Sequence, residues 1–230
     1  MQHIFLILFG QDVTCYHIFI IWKEKVLEMS DHLIIAAANG ETEKVLTLLQ
    51  EGADINATNQ LGRTAVLAAT YYNQVETVRA LIQRGADINL QDNQLENVLL
   101  HAGASGFLEI VKLAIAAGAD TKLTNRFGGV AIIPAAERGH VEVVRALLNH
   151  SDINVNHINH LHWTALMEAV ILGNGGERHQ EIVQLLVDYG ANLNITDRDG
   201  VTPLQHAKQL GFHKIELILK EAESEGSSKS

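Results

Sequence analysis

Four histidines, His150, His157, His160 and His162, crowd one short stretch of the chain. Imidazoles spaced two and three residues apart can converge on zinc, copper or nickel. Between His157 and His162, however, stands no cysteine or carboxylate to complete a ligand set. A second constellation, His162, Glu168 and His179, carries the residue types of an acid/base pair. The segment Gly173-Asn174-Gly175-Gly176 lacks the Gly-Lys-Ser/Thr of a phosphate loop. No serine stands in a Gly-x-Ser-x-Gly turn, and the single cysteine, Cys15, lies far from these groups. The reading is therefore no catalytic residue, no metal ligand and no cofactor. The alternative is a small enzyme or metal-binding protein centred on the histidine-rich segment.

The elements that must position these residues repeat at a fixed interval. Gly52-Ala53-Asp54, Gly85-Ala86-Asp87 and Gly118-Ala119-Asp120 follow one another every 33 residues. A fourth copy is worn to Ser151-Asp152, and a fifth, Gly190-Ala191-Asn192, arrives late. Such self-similarity marks a solenoid, and 33 residues is the length of the ankyrin repeat. From about Met29 to about Glu223 the chain resembles the ankyrin repeat family. The resemblance implies an all-α solenoid of helix-turn-helix units joined by β-hairpin-like turns, about six repeats including caps. The repeats fall near 29–57, 58–90, 91–123, 124–156, 157–195 and 196–223.

The family's Thr-Pro-Leu-His opening survives best as Thr202-Pro203-Leu204-Gln205 and loosely as Thr64-Ala65-Val66-Leu67 and Thr164-Ala165-Leu166-Met167. Thr64, Thr164, Thr202 and Asn97 can cap the inner helices, whereas Val130 cannot, so repeat four is expected to be the least stable. Outer helices align without gaps at Val75–Ile82, Leu108–Ile115, Val141–Leu148 and Gln180–Val187, with apolar residues at helical spacing. The glycines after them are expected to be left-handed helix ends. Thr64 to Glu76 is 12 positions and Thr164 to Glu181 is 17, so five residues were inserted between the helices of repeat five. Lys44 and Glu216 take slots that are apolar or threonine elsewhere, as uncovered end faces require. The serine-rich tail from Ser224 to Ser230 is expected to be disordered.

Residues 4 to 9 and 18 to 22 are apolar but divided by Gly10-Gln11-Asp12. No uninterrupted run approaches 18 residues, and Asp12 at the centre of a span costs about 2.5 to 3.5 kcal/mol. Repeat register places Met29 opposite Gly62, so Met29 reads as the true start and residues 1–28 as a leader. A membrane-tethered adaptor is the alternative for that segment. With 27 acidic against 17 basic residues the formal charge is −10, which repels phosphate backbones and anionic lipid and disfavours nucleic acid and membrane as partners. One cysteine admits no internal disulfide, and a reducing, cytoplasmic setting is expected.

The resemblance implies a non-enzymatic module, a monomer of adaptor or inhibitor type, that binds a protein partner through turn tips and the exposed face of the inner helices. Carried over residue by residue, the binding positions are Tyr71, Tyr72, His101, Phe127, Arg138, Trp163, Glu168, Ile171 and Leu172. Tyr, Trp and Arg are favoured at interface hot spots. Further matching positions are Ala104, Ser105, Glu137 and His206 on the helices, and Gln60, Leu61, Arg63, Gln94, Leu95, Glu96, Arg126, His160 and Leu161 at the tips. His140, in a Gly-His turn typical of the family, is assigned a structural hydrogen bond.

Overall fold

The computed structural model describes residues 28–227. The expectations for a leader or tether in the first 27 residues, and for residues 228–230, lie outside the described residues. Twelve helices stand among those described, in six pairs, with no strand. The first pair is α1 (28–38) and α2 (Thr42–Gln50). Then come α3 (Ala65–Tyr71) with α4 (Val75–Gln83), α5 (Val98–Ser105) with α6 (Leu108–Ala116), and α7 (Ile132–Glu137) with α8 (Val141–His150). Repeat five has α9 (Ala165–Ile171) and α10 (Glu177–Asp188), and repeat six α11 (Pro203–Gln209) and α12 (His213–Ser227). From repeat two onward each inner helix packs on the next inner helix, and each outer helix from α2 on packs on the next outer one, giving two layers.

The core lies between the layers and runs the length of the array. One buried alanine per repeat, Ala36, Ala69, Ala102, Ala135, Ala169 and Ala207, marks its axis. These small side chains let the helices of a pair approach closely, while Leu33, Val66, Leu99, Ile132, Leu166 and Leu204, three positions before each alanine, add larger side chains to the same core. Among the described residues no helix is long and apolar enough to cross a membrane.

Capping follows the sequence pattern. Thr64 and Thr164 accept from the backbone N–H of Leu67 and Met167 at 3.3 Å, and Asn97 from that of Leu100 at 2.9 Å. Thr202 and Gln205 form a reciprocal capping box. Helix α7, with Val130-Ala131 before it, has no side-chain cap and, at 6 residues, is the shortest of the described helices. Pro134 sits inside its first turn, where a helix has no use for the missing N–H. Gly85 ends α4 with φ +84°, and nothing lies within 4 Å of the place a Cβ would take, so backbone conformation and not space selects glycine there. Where the phrase wears to Ser151, the backbone is extended and the hydroxyl donates to the Leu147 carbonyl at 2.6 Å, an alternative way of closing the helix.

Two features differ from the sequence reading. The five inserted residues of repeat five do not all enter a loop: the connection from α9 to α10 is two residues longer than that from α3 to α4, and α10 is three residues longer than α4. The serine-rich tail, expected to be disordered from Ser224, is helical as far as Ser227, because α12 continues past the last core residue, Leu219.

Each turn tip is a tight hairpin-like loop without strands. Asn59, Asp92, Asn125, Asn159 and Asp197 occupy the same slot, and the side-chain oxygen of each accepts the backbone N–H groups two and four residues on. The residue three positions after each is left-handed: Gly62, Leu95, Gly128, His162 and Gly200. Between repeats, the Asn89 side chain accepts the Asp120 N–H and the Asn156 side chain that of Asn192. The N–H groups of Asn93 and His160 likewise reach the Leu61 and Phe127 carbonyls. At the joint between repeats three and four Lys122 holds the asparagine slot, and side-chain donors such as Thr121 to Asp152, at 2.7 Å, make the connections.

Candidate interaction groove

The concave side is built outward from Asp92. Only 3% exposed, its Oδ1 takes the N–H groups of Gln94 and Glu96 at 2.8 and 3.0 Å, and its Oδ2 accepts from the Tyr71 hydroxyl at 3.0 Å and Arg63 Nε at 3.3 Å. Burial works to raise this carboxyl, but the backbone and side-chain donors together outweigh it and hold it below the usual range. Burial also pushes the Tyr71 phenol up to about 12, its hydrogen bond to Asp92 adding to the effect. The Arg63 guanidinium lies 3.6 Å from the Tyr71 ring centre, and the His101 ring stacks on Tyr71 at 3.8 Å, with Phe107 edge-on to His101 at 6.3 Å. Burial first, then nearby Arg63, drives the His101 imidazole down to about 4, so it is neutral at physiological pH.

Beside this stack opens a cavity of about 450 Å³, between the tips of repeats three to five and the inner helices of repeats two to five. Glu96, Arg126, Phe127, Arg138, Glu168 and Leu172 stand around it. Burial raises the Glu96 carboxyl to about 7, with Asp92 contributing. Burial likewise raises Glu168 to about 7, assisted by Glu137, although Asn159 Nδ2 donates to its Oε1 at 2.6 Å. At the rim, Arg138 donates to the Ala104 carbonyl at 2.7 Å, while Arg126 bonds to Gln94 and lies over the Phe127 ring.

The raised Glu168 carboxyl has a consequence for stability. Its proton is held more tightly in the folded than in the unfolded chain, so stability falls as pH rises from about 4.5 through about 7. Glu168→Gln keeps an acceptor for Asn159 and removes the charge. The variant is expected to gain on the order of 2 kcal/mol over the parent at pH 8 and little at pH 5. Urea midpoints at the two values measure it, and an equal difference at both contradicts the assignment.

Of the nine expected binding residues, Tyr71, His101, Phe127, Arg138, Glu168 and Leu172 line this one cavity, with Phe127 55% and Leu172 49% exposed. Tyr72, 65% exposed, and the half-buried Ile171 and Trp163 do not line it. Gln94, Glu96, Arg126 and Leu161 of the tip positions join the lining. Sequence reading missed Asp92 and Asn159, which the recurrence of Asn or Asp at one tip slot marks, and it missed Gly129 and Pro134. The histidines are dispersed: His157 Nε2 donates to the Gly128 carbonyl at 2.8 Å and His162 Nδ1 to that of Thr196 at 3.4 Å. His179 bonds Asn174 and the Glu137 carbonyl, so His162, Glu168 and His179 are each held by different partners. His140 Nε2 donates to the Ala104 carbonyl of the preceding repeat at 3.2 Å, the structural bond expected of it.

Stacked helix pairs with hairpin-like tips define an all-helical repeat solenoid. The chain belongs to the ankyrin repeat family: it matches the family description "Ankyrin repeats (3 copies)" over residues 7–92, 33–125 and 99–197. It is 43% identical over 186 residues to the ankyrin repeat protein YahD of Escherichia coli (strain K12), covering 81% of this chain and 92% of that one. Its fold is similar to that of an ankyrin repeat domain from Acinetobacter baumannii AYE, with a TM-score of 0.80, 48% identity, and 83% and 96% of the two chains covered. The ankyrin repeat protein EF0377 is likewise similar, with a TM-score of 0.79, 38% identity, and 82% and 96% covered. Domains of this family generally mediate protein–protein interaction and are generally non-enzymatic.

Proposed function

We propose that the chain is a non-enzymatic adaptor or inhibitor that holds a protein partner in the concave groove, in a reducing, cytoplasmic setting. The observation that carries the reading is the single cavity that gathers six of the nine positions carried over from the family, with two large apolar side chains, Phe127 and Leu172, exposed at its edge. Hot spots combine such anchors with a desolvated pocket, and together they supply most of the binding energy. The array presents the groove on short helices and tight tips, so little ordering cost falls on this side of the interface.

An affinity capture with the intact array, read by mass spectrometry, tests the reading when run beside Phe127→Ala/Leu172→Ala. A species retained by the parent and weakened by at least about 2 kcal/mol in the variant, at unchanged helicity, is the expected result. Equal retention by both places the binding surface elsewhere, and the connection around Gly175 is then the next to be altered.

A further inference from the structure

Repeat four departs from its neighbours where the cavity lies. One position beyond the left-handed tip residue, the other repeats carry Arg63, Glu96, Trp163 and Val201, while repeat four carries Gly129. Its backbone does not require glycine, since Gly129 is not among the left-handed residues. A Cβ there would stand 3.5 Å from Asn125 Oδ1 and 3.7 Å from Ile133, which is ordinary contact. On the inner helix, where His101 and Glu168 stand in the two neighbouring repeats, repeat four has the short Pro134, as repeat two has Ala68 and repeat six His206. The fold leaves a notch that it has room to fill.

Charge around the notch is sorted by depth. Glu168 is 6% exposed and makes a single side-chain hydrogen bond, to Asn159. Glu96 Oε2 is closed off from solvent and has no hydrogen-bond partner. Neither carboxyl is among the ion pairs of the described residues. Arg126 and Arg138, by contrast, are exposed at the rim and bonded to neutral acceptors. Arg138, and for Glu96 also Arg126, favour the ionised form, but burial outweighs them; a buried carboxyl without an ion-pair partner is costly, and a cation brought to it relieves that cost. The rim guanidiniums face water, where high dielectric and salt weaken their repulsion of a cation below.

We propose that this notch receives one basic side chain, Lys or Arg, from an extended partner segment. The stem of that side chain crosses Ile133 and Pro134 and its head reaches the carboxyls of Glu96 and Glu168. Arg126 and Arg138 meet the carbonyls and acidic groups of the same segment at the rim. The inference rests on the groove being the interaction surface. Burial has already driven both carboxyls up to about 7, and a basic head returns them to the ionised form.

Random decapeptides displayed on phage and selected on the full chain test it. An extended decapeptide spans roughly 33 Å, enough for three repeats at about 8–10 Å each. Binders are expected to converge on Lys or Arg at one fixed position. Synthetic copies should lose at least tenfold in affinity on Glu96→Gln/Glu168→Gln. They should lose as much on Gly129→Trp, which fills the notch with the side chain repeat five carries, with circular dichroism confirming the fold of each variant. Binders that fall away on Phe127→Ala/Leu172→Ala yet carry no basic residue and ignore the carboxyl variants overturn the basic-side-chain assignment and leave the groove standing. Binders indifferent to every groove substitution, or no binders at all, overturn both.

Discussion

A chain ended at Tyr189 is expected to unfold at a markedly lower urea concentration than the full array. Cutting before Gly190 removes α11 and α12, and with them the buried Leu204, Ala207, Ile215 and Leu219. Each large apolar side chain taken from the core forfeits about 1.5–3 kcal/mol, and the faces of α9 and α10 that packed on the lost helices are exposed as well. The total is on the order of 5 kcal/mol or more. In a solenoid each repeat is stabilised by its immediate neighbours, so the loss falls first on repeat five and unfolding becomes partial. Denaturant curves followed by circular dichroism measure it. A truncated chain that stays monomeric with unchanged midpoint and melting temperature contradicts neighbour-by-neighbour stability.

Asp92→Ala carries the second large effect. The substitution leaves Arg63, Tyr71 and two backbone N–H groups without their acceptor in a nearly closed site. Removing one partner of a buried ion pair costs about 3–5 kcal/mol, and urea denaturation should show a loss of that size. Asp92→Asn is a sharper probe. Asn59, Asn125 and Asn159 hold the same tip geometry in other repeats, so the variant keeps the Oδ1 acceptor and puts an Nδ2 donor where Oδ2 accepted from Arg63 and Tyr71. Its cost should be about 1–2 kcal/mol. Equal losses for Ala and Asn assign the whole effect to the bonds from Arg63 and Tyr71, and no loss for either removes Asp92 as the organiser of the groove wall.

Backbone demands are local, which is why much of the fold could be read directly. A threonine hydroxyl reaches an N–H three residues away, so Thr64, Thr164 and Thr202 revealed themselves as caps without any knowledge of neighbours. Gly85 shows its conformation because only glycine adopts it at low cost. The groove is a property of adjacent repeats. Tyr71 and Asp92 are 21 positions apart, and nothing local tells that the phenol of one bonds the carboxylate of the other while His101 stacks beside it. Tyr72 and Trp163 drew attention by residue type, yet the cavity turns on a residue with no side chain, Gly129, visible only by setting the five tips against one another. Spacing alone gives the five inserted residues of repeat five, but not their division between loop and helix, where His179 inside α10 donates across to the Glu137 carbonyl of the preceding repeat at 2.9 Å.

The missing asparagine rung between repeats three and four also sets how the array bends. A curved stack of rigid pairs is a spring whose stiffness is concentrated in its joints. The flanking joints are tied by backbone N–H groups, those of Asn93 and Asp120 on one side and of His160 and Asn192 on the other. Side chains alone donate across the joint that carries Lys122, as in Thr121 to Asp152 and Gln91 to Thr124. Side chains change rotamer within nanoseconds, whereas the backbone-to-backbone bonds of Asn93 to Leu61 and His160 to Phe127 yield only when the repeat itself moves. The joint between repeats three and four therefore yields more readily than the two that flank it, and because it lies beneath the cavity, bending there appears as a change in the width of the groove.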